Sequence, residues 1–339
     1  MSGKGLRTVL IGFGQIAAGL QTDAHMARYF SYATHAQVLA GHPDFQWLGV
    51  ADPNAEACQA AADTWFVPHV DADALSLARL VDAEVAIITA PPAARPAVLD
   101  AFPNLKAVLV EKPLTLDETD GTGFVTLCRE RGIHLQVNFW RRADLFYSDL
   151  AGGRLAALLG KPQAVFATYG NGLRNNGTHL VDFARLLLGE VMTVRALGPA
   201  TPAAGTPLAG DVHIPLALTL DGGILATVLP LDFDHYREVG LDIWGTKGRL
   251  ALYQEGLGVF HYPLADNRGL ENECEIANDR PQVLEPTVGQ ALYRMYDNLA
   301  AAVRDGTPLF SPGESAQRTE AVIAAALRSS TSGGTLEKP

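Results

Sequence analysis

Short, unbroken apolar runs separated by amphipathic stretches dominate the first 140 residues. Arg7 to Gly12, Gln46 to Ala51, Val85 to Thr89, Ala107 to Val110 and Ile133 to Phe139 each read as a strand buried on both faces, too short and too β-branched to favour a helix. Between them, helical patterns are predicted over Ala55 to Trp65, Ala94 to Ala101 and Leu116 to Gly132, with Thr115 a candidate N-cap and Gly132 a candidate C-cap. Strands alternating with helices predict a parallel, doubly wound α/β sheet. After Trp140-Arg141-Arg142 the pattern changes. A helix is expected over Ala143 to Gly152, an extended run over Gln163 to Tyr169, and an amphipathic helix over Leu180 to Leu188 stopped by Gly189. Several antiparallel strands follow between Val191 and His261, with hairpin turns at Asp221-Gly222-Gly223 and Gly245-Thr246-Lys247-Gly248. Helices return at Thr287 to Arg304 and Glu314 to Arg328. The expectation is therefore an N-terminal α/β domain over 1–140, an α+β domain with one large, mostly antiparallel open sheet over 141–329, and a disordered polar tail over 330–339.

Turn chemistry adds a ligand to this outline. The first strand runs into Gly12-Phe13-Gly14-Gln15-Ile16-Ala17, a G-x-G-x-x-A fingerprint. Its first glycine permits the tight turn and its second lets the backbone approach a pyrophosphate. The small Ala17 allows close helix–strand packing, and the helix N-terminus, through Gln15 and Ile16, faces the phosphates. Asp52, at the end of the second strand, occupies the place from which a carboxylate accepts hydrogen bonds from ribose hydroxyls and repels a 2′-phosphate, favouring NAD over NADP. The competing reading of Asp52 is a helix N-cap. The spacing from fingerprint to Asp52 is long, and the excess falls in Gly19 to Tyr32, an insertion carrying His25, Tyr29, Phe30 and Tyr32 before the helix resumes at Thr34. Packing over the first helix is its simplest role. Thr89, Ala90 and Pro91, with Pro92, form a rim turn suited to walling the nicotinamide-ribose side, and Asn138 stands at the rim of the last strand.

The central strand ends in Glu111-Lys112-Pro113. Ligands of open α/β sheets bind outside the carboxyl ends of the strands, so Lys112 is placed to touch a substrate, and Glu111 to hold or tune its ammonium. Pro113 ends the strand and biases Lys112 toward an extended conformation.

Composition narrows the partners. The 339-residue chain carries 26 basic and 37 acidic residues, a net charge of −11, which disfavours nucleic acid and anionic membranes. The three cysteines, Cys58, Cys128 and Cys274, are scattered, so neither a disulfide framework nor a metal site is expected. The N-terminus has no signal-peptide pattern and no run of 18 apolar residues exists, which predicts a cytoplasmic protein.

Taken together, Gly12 to Ala17, Ala51-Asp52-Pro53, Ala90-Pro91-Pro92, Val110 to Leu114, Gly177 to Asp182 and Leu241 to Arg249 resemble the Gfo/Idh/MocA family, the glucose-fructose oxidoreductase and inositol dehydrogenase group. The resemblance implies an N-terminal Rossmann domain and a C-terminal sheet that builds homodimers or homotetramers. It also implies NAD(P)-dependent oxidation or reduction of a hydroxyl or ketone on a sugar, cyclitol or sugar nucleotide. By the same resemblance Lys112 would contact the reacting oxygen and His179 would be the acid/base. Asn175 stands four residues before His179 where the family often has aspartate, and an amide cannot take up a proton. Asp182, one turn after His179, is a candidate to orient it or to favour the helix N-terminus. Arg141, Arg142, Tyr169 and Arg174 are candidate substrate-pocket residues. The chemistry is self-consistent: a histidine with near-neutral pKa accepts the hydroxyl proton, and a cationic lysine stabilises the alkoxide. One such group from each domain predicts a substrate cleft between them. The alternatives are an NADPH-dependent sugar-nucleotide ketoreductase and a non-catalytic nicotinamide-binding regulator.

Overall fold

A computed structural model describes residues 5–115 and 118–339. Leu116, the expected first residue of its helix, and the start Met1–Lys4 lie outside the described residues. The chain divides into two compact units, one running to Ala143 and including Gly289–Gln317, the other comprising Asp144–Val288 and Arg318–Pro339.

The first unit is built on six parallel strands, β1 (Leu6–Ile11), β2 (Phe45–Ala51), β3 (His69–Asp71), β4 (Val85–Ile88), β5 (Ala107–Val110) and β6 (His134–Val137). Their order is β3-β2-β1-β4-β5-β6, the doubly wound arrangement. Successive side chains on a strand point to opposite faces. Accordingly Val9, Ile11, Ala86, Ile88, Val108 and Val110 join one apolar cluster with Leu77, Val98, Leu99 and Phe124. Leu10, Val50, Val85, Ile87 and Leu109 join the opposite cluster with Val38, Leu39, Met295 and Leu299. Burial on both faces is why these strands read as unbroken apolar runs. The edge strand β3 is half-buried and carries no such run.

Two features of this unit depart from the sequence pattern. No helix follows the glycine fingerprint directly. Residues 15–18 form turns, a 3-10 segment spans Gly19–Thr22 and a single helical turn spans Met26–Tyr29. The helix then starts at His35 behind a capping box in which Thr34 and Gln37 exchange hydrogen bonds. The N–H groups of His35 and Ala36 donate to the carbonyls of Ile16 and Ala17 at 3.3 and 2.8 Å, so the insertion loops out and the chain is spliced back beside its own turn. Second, helix Ala291–Asp305, placed by the sequence pattern with the C-terminal domain, belongs to the first unit, where Leu292, Met295 and Leu299 cover the sheet. A single boundary near residue 140 misses this return of the chain.

In the second unit a mixed sheet is ordered β16-β15-β14-β13-β7-β12-β11-β8, with β17 paired to β15. The strands are β7 (Pro162–Tyr169), β8 (Val191–Ala196), β11 (Leu216–Leu220), β12 (Ile224–Pro230), β13 (Gly240–Gly245), β14 (Gly248–Tyr253), β15 (Gly258–Asp266), β16 (Cys274–Ile276) and β17 (Gln282–Leu284). A separate two-residue pair, β9 (Thr201–Pro202) with β10 (Val212–His213), lies apart from it. Only the β7–β12 pairing is parallel. Both expected hairpin turns join antiparallel neighbours, β11 to β12 and β13 to β14.

The tail expected to be disordered is ordered. Helix Gly313–Thr331 runs past the expected end, and the chain turns back so that Glu337 and Val194 exchange two backbone hydrogen bonds of 2.9 Å. Arg328 pairs with Glu337, and the buried Ser329 hydroxyl accepts from the N–H of Ala196. The tail thus closes the exposed edge of β8, where unpaired backbone groups would be costly. Deleting residues 332–339 should lower the stability of the second unit by about 1–3 kcal/mol, the value of two backbone hydrogen bonds. It should also promote self-association through the opened edge. Urea unfolding and light scattering of the truncated chain test both outcomes.

Candidate functional site

The carboxyl ends of β1, β2, β4, β5 and β6 gather the expected cofactor residues of the first unit. Gly12 has φ +89°, and a Cβ there would lie 2.7 Å from the Ala90 nitrogen and 2.9 Å from Thr89 Oγ1, so only glycine fits. Thr89 Oγ1 donates to the Gly12 carbonyl at 2.7 Å and the Ala90 N–H to Ile11 at 3.0 Å, fastening the rim turn to the fingerprint. Gly14 is exposed, and nothing lies within 4 Å of where its Cβ would stand. That is the bare backbone a pyrophosphate approaches. Asp52 Oδ2 accepts the Phe13 N–H at 2.6 Å and Oδ1 the Asn54 N–H at 2.8 Å. Asn54, not Asp52, caps helix Ala55–Trp65 through the Glu56 N–H. The carboxylate is therefore tied to the glycine turn, and the N-cap reading of Asp52 is wrong. Gln15 and Pro91 are exposed on the same turns. The residues present fit a dinucleotide.

At the end of β5, Glu111 is nearly enclosed, with 12% of its side chain exposed. His35 Nε2 lies 3.0 Å and Asn138 Nδ2 2.6 Å from the same oxygen, Oε1. An ionised carboxylate only accepts, so both nitrogens donate. On the far side of the imidazole, Nδ1 stands 2.7 Å from the hydroxyl of fully buried Tyr296. Burial alone would raise the pKa of Glu111. The hydrogen bond and charge of His35, the Asn138 hydrogen bond and the Lys112 charge outweigh it and hold the carboxyl below its ordinary value. Buried Arg95 donates to the carbonyls of Glu111, at 2.5 Å, and Leu114, clamping the backbone on either side of Lys112 and Pro113. Asn138 Oδ1 is buried without a hydrogen-bond partner among the described residues.

The second unit presents His179 as the second residue of helix Thr178–Leu188, half-buried and preceded by a wide π-type turn over Leu173–Gly177. Asp211 organises this turn. Only 3% exposed, it accepts from the N–H groups of Arg174 and Asn175 at 3.0 Å and of Val212 at 2.9 Å. Gly172, φ +91°, must be glycine, since a Cβ would fall 2.0 Å from Asp211 Oδ2. Its N–H donates to His213 Nε2 at 3.1 Å. Burial lowers the pKa of His213 despite the charges of Asp211 and Asp232, in keeping with a ring nitrogen that must stay an acceptor. Asn175 is buried and its amide donates to the Asn171 carbonyl at 3.1 Å.

Two candidate substrate residues are corrected. Tyr169 is fully buried, and its hydroxyl both donates to and accepts from the backbone of Ile214, at 3.0 and 2.8 Å. It is a packing residue of β7. Asp182 is 2% exposed and sits against Arg185 at 3.5 Å and the Thr319 hydroxyl at 3.3 Å. Buried there, it is shielded from a ligand. Arg142 and Arg174 remain half-buried, whereas Arg141 is buried with its guanidinium 4.2 Å above the Trp140 ring. His35, Tyr296, Arg95, Asp211 and His213 are site-forming residues that sequence reasoning missed. A polar Asp-x-His in a Gly/Pro/Ala-rich loop was a usable signal for the last two. Nothing local marked the others.

Comparison with known proteins bears on this geometry. The family model described as oxidoreductase family, NAD-binding Rossmann fold (Gfo/Idh/MocA) matches residues 6–139, and that of the family's C-terminal alpha/beta domain matches residues 168–337. Inositol 2-dehydrogenase 4 of Saccharopolyspora erythraea is 28% identical over 244 residues, 67% of this chain and 67% of that protein. The dTDP-3,4-didehydro-2,6-dideoxy-alpha-D-glucose 3-reductase of Streptomyces violaceoruber is 29% identical over 235 residues, 63% of this chain and 67% of its own. The WlbA dehydrogenase of Chromobacterium violaceum, solved with NADH and UDP-GlcNAcA, superposes with a TM-score of 0.77 at 18% identity, covering 100% of this chain and 97% of that one, a likeness of fold.

A carboxyl whose folded pKa lies below its unfolded value stabilises the fold above the unfolded pKa and loses that contribution as pH falls through the folded one. Glu111 is such a group, its carboxyl held below its ordinary value in the folded protein. Unfolding free energies from urea titrations of wild type and Glu111→Gln should therefore differ most near neutral pH, by about 1.5–3 kcal/mol for the charge-assisted bonds, and converge in acid. A difference independent of pH would exclude an anionic Glu111.

Proposed function

The chain belongs to the Gfo/Idh/MocA oxidoreductase family, and on that premise we propose that Lys112 and His179 serve hydride transfer between NAD and a secondary hydroxyl of a cyclitol or sugar. The activity class, an NAD(P)-dependent oxidoreductase acting on hydroxyl groups of cyclitols and sugars, is that of its named relatives. The observation that carries the assignment of Lys112 is its place directly after the fixed Glu111 carboxylate, at the carboxyl end of β5 in an NAD-binding Rossmann unit.

Gly12, Gly14, Gln15 and Ile16 offer backbone to the pyrophosphate, and Asp52 offers carboxylate oxygens to a ribose. Thr89, Ala90 and Pro91 wall the cofactor side, and Asn138 Oδ1 is a buried acceptor suited to an amide donor. When bound, NAD supplies the hydride acceptor. Lys112 holds the substrate oxygen and offsets the negative charge that develops on it. His179 takes the hydroxyl proton. Asn175, which cannot accept a proton, holds the turn that carries His179, and Arg142 and Arg174 supply hydrogen-bond donors to substrate. A sugar nucleotide is the second substrate reading, favoured by the Streptomyces relative. Asp52 opposes an NADPH-dependent version of it.

Among the described residues no helix is long and apolar enough to cross a membrane. We assign the protein to the cytoplasm. We also assign self-association to the open sheet face, where Phe166, Leu225 and Trp244 stand exposed.

Titration with NADH and NADPH, followed by a panel of cyclitols, sugars and sugar nucleotides, tests the reading; failure to bind either cofactor would overturn it. Lys112→Ala should lower kcat by about 10²–10³-fold with cofactor affinity nearly unchanged. Unaltered turnover would remove Lys112 from the mechanism. Asp52→Ala should weaken NAD binding by about 10–100-fold and narrow its advantage over NADP. An unmoved preference would leave Asp52 a purely structural brace of the glycine turn.

A further inference from the structure

We propose that His35 is a positioning residue of the Lys112 rim: held by Tyr296 and by the glycine turn, it fixes the Glu111 carboxylate as an oriented anion beside Lys112. This rests on the reading that Lys112 serves hydride transfer, though its test does not depend on turnover.

Three observations carry it. The first is the hydrogen-bond chain. Tyr296 has no hydrogen-bond partner among the described residues except His35, and burial, then the Glu111 charge, push its pKa well above the ordinary phenol value. The phenol thus keeps its proton beside Nδ1, and because an ionised Glu111 only accepts, Nε2 carries the proton aimed at Oε1. The second is the anchoring of the ring. The His35 N–H donates to the Ile16 carbonyl at 3.3 Å, and Thr34 caps the helix one residue earlier. One residue therefore touches the dinucleotide turn with its backbone and the Lys112 rim with its side chain. The third is burial. The His35 side chain is 1% exposed and ends in polar contacts on both nitrogens. An apolar ring would fill that space without the cost of burying two polar atoms.

Glu111 is faced by His35 from the first helix, Asn138 from the end of β6, Tyr296 from helix Ala291–Asp305, and its neighbour Lys112, while Arg95 holds only its carbonyl. Asn138 and His35 converge on Oε1. Losing one of two donors leaves a nearly enclosed carboxylate underpaired, and protonation relieves it. The consequence at Lys112 is the loss of its adjacent negative charge at a pH where the wild-type protein retains it.

The chain has only six lysines, so reductive methylation with carbon-13 gives resolvable signals, and Lys112→Arg assigns that of Lys112. In the full-length protein without cofactor, the Lys112 signal should show an inflection from Glu111 on the acid side of the ordinary carboxyl range in wild type. In His35→Ala the inflection should rise by about one to two pH units, and in His35→Gln, which restores an N–H donor near the Nε2 position, it should return most of the way. Glu111→Gln should abolish it. Where turnover is measurable, His35→Ala should lower kcat on the acid side with KM and NADH affinity little changed. An unmoved inflection in folded His35→Ala overturns the proposal. If that variant does not fold, Tyr296→Phe decides: an upward shift supports the relay and no shift overturns it. A Lys112 signal that behaves as expected in a protein with no turnover on any substrate would defeat the hydride-transfer reading and leave the His35 assignment standing.

Discussion

A carboxylate taken out of water must be paired or it will be protonated. Glu111 meets that requirement at the carboxyl end of β5, and much of the first unit converges on how it does so. Its donors come from the first helix and from the end of β6, and helix Ala291–Asp305 supports the first of them, His35, through Tyr296. Arg95 fixes the same loop by its carbonyls, so side chain and backbone are held by different partners. Displacing the helix that carries His35 or the end of β6 would leave a buried ion short of a donor. The hydrogen bonds of His35 and Asn138 stabilise the anion, and those of Arg95 tie down the backbone on either side of Lys112.

The second unit uses a carboxylate differently. Asp211 pairs with three backbone N–H groups and with no cation among its hydrogen bonds, doing for the turn at Leu173–Gly177 what a capping residue does for a helix. It reaches that turn from a separate loop, 36 residues after Asn175. Amides held in this way fix the direction in which helix Thr178–Leu188 begins, and hence where His179 stands. The positively turned φ of Gly172 and the acceptor nitrogen of His213 complete the arrangement. Asn175 thus sits in a structured turn whatever its part in chemistry, and the carboxylate missing at position 175 does not leave that turn unsupported.

The insertion over Gly19–Tyr32 acquires a structural meaning. It ends against helix Ala291–Asp305's approach, with the Tyr32 N–H donating to Gly289, and a Cβ on Gly289 would collide with the Tyr29 carbonyl. The loop therefore leaves the glycine turn, touches the segment that returns from the C-terminal part of the chain, and delivers His35 back beside Ile16. Its aromatic contacts run to segments other than the first helix, over which packing was expected: Phe30 lies edge-on to Trp140 and Tyr32 tilts against Tyr293, while His25 and Tyr29 are exposed.

The sequence by itself determined what local periodicity and turn chemistry encode. Strands buried on both faces must be continuously apolar, so β1, β2, β4, β5 and β6 were legible, and with them the rim at Lys112 and the glycine turn at Gly12. Asp52 could be placed by topology, though not distinguished from a helix cap until Asn54 was seen to cap. Tertiary structure alone decided which groups face one another across long separations. Tyr169 and Asp182 carry the right chemistry for a pocket but meet Ile214 and Thr319 in the interior. His35 meets Glu111 across 76 residues and Tyr296 across 261. The helix at Ala291–Asp305 has an ordinary amphipathic pattern that names no partner sheet, and the polar tail gives no sign that Val194 awaits it. Burial and hydrogen-bond pairing of polar side chains depend on what lies opposite them in space, and no local pattern records that.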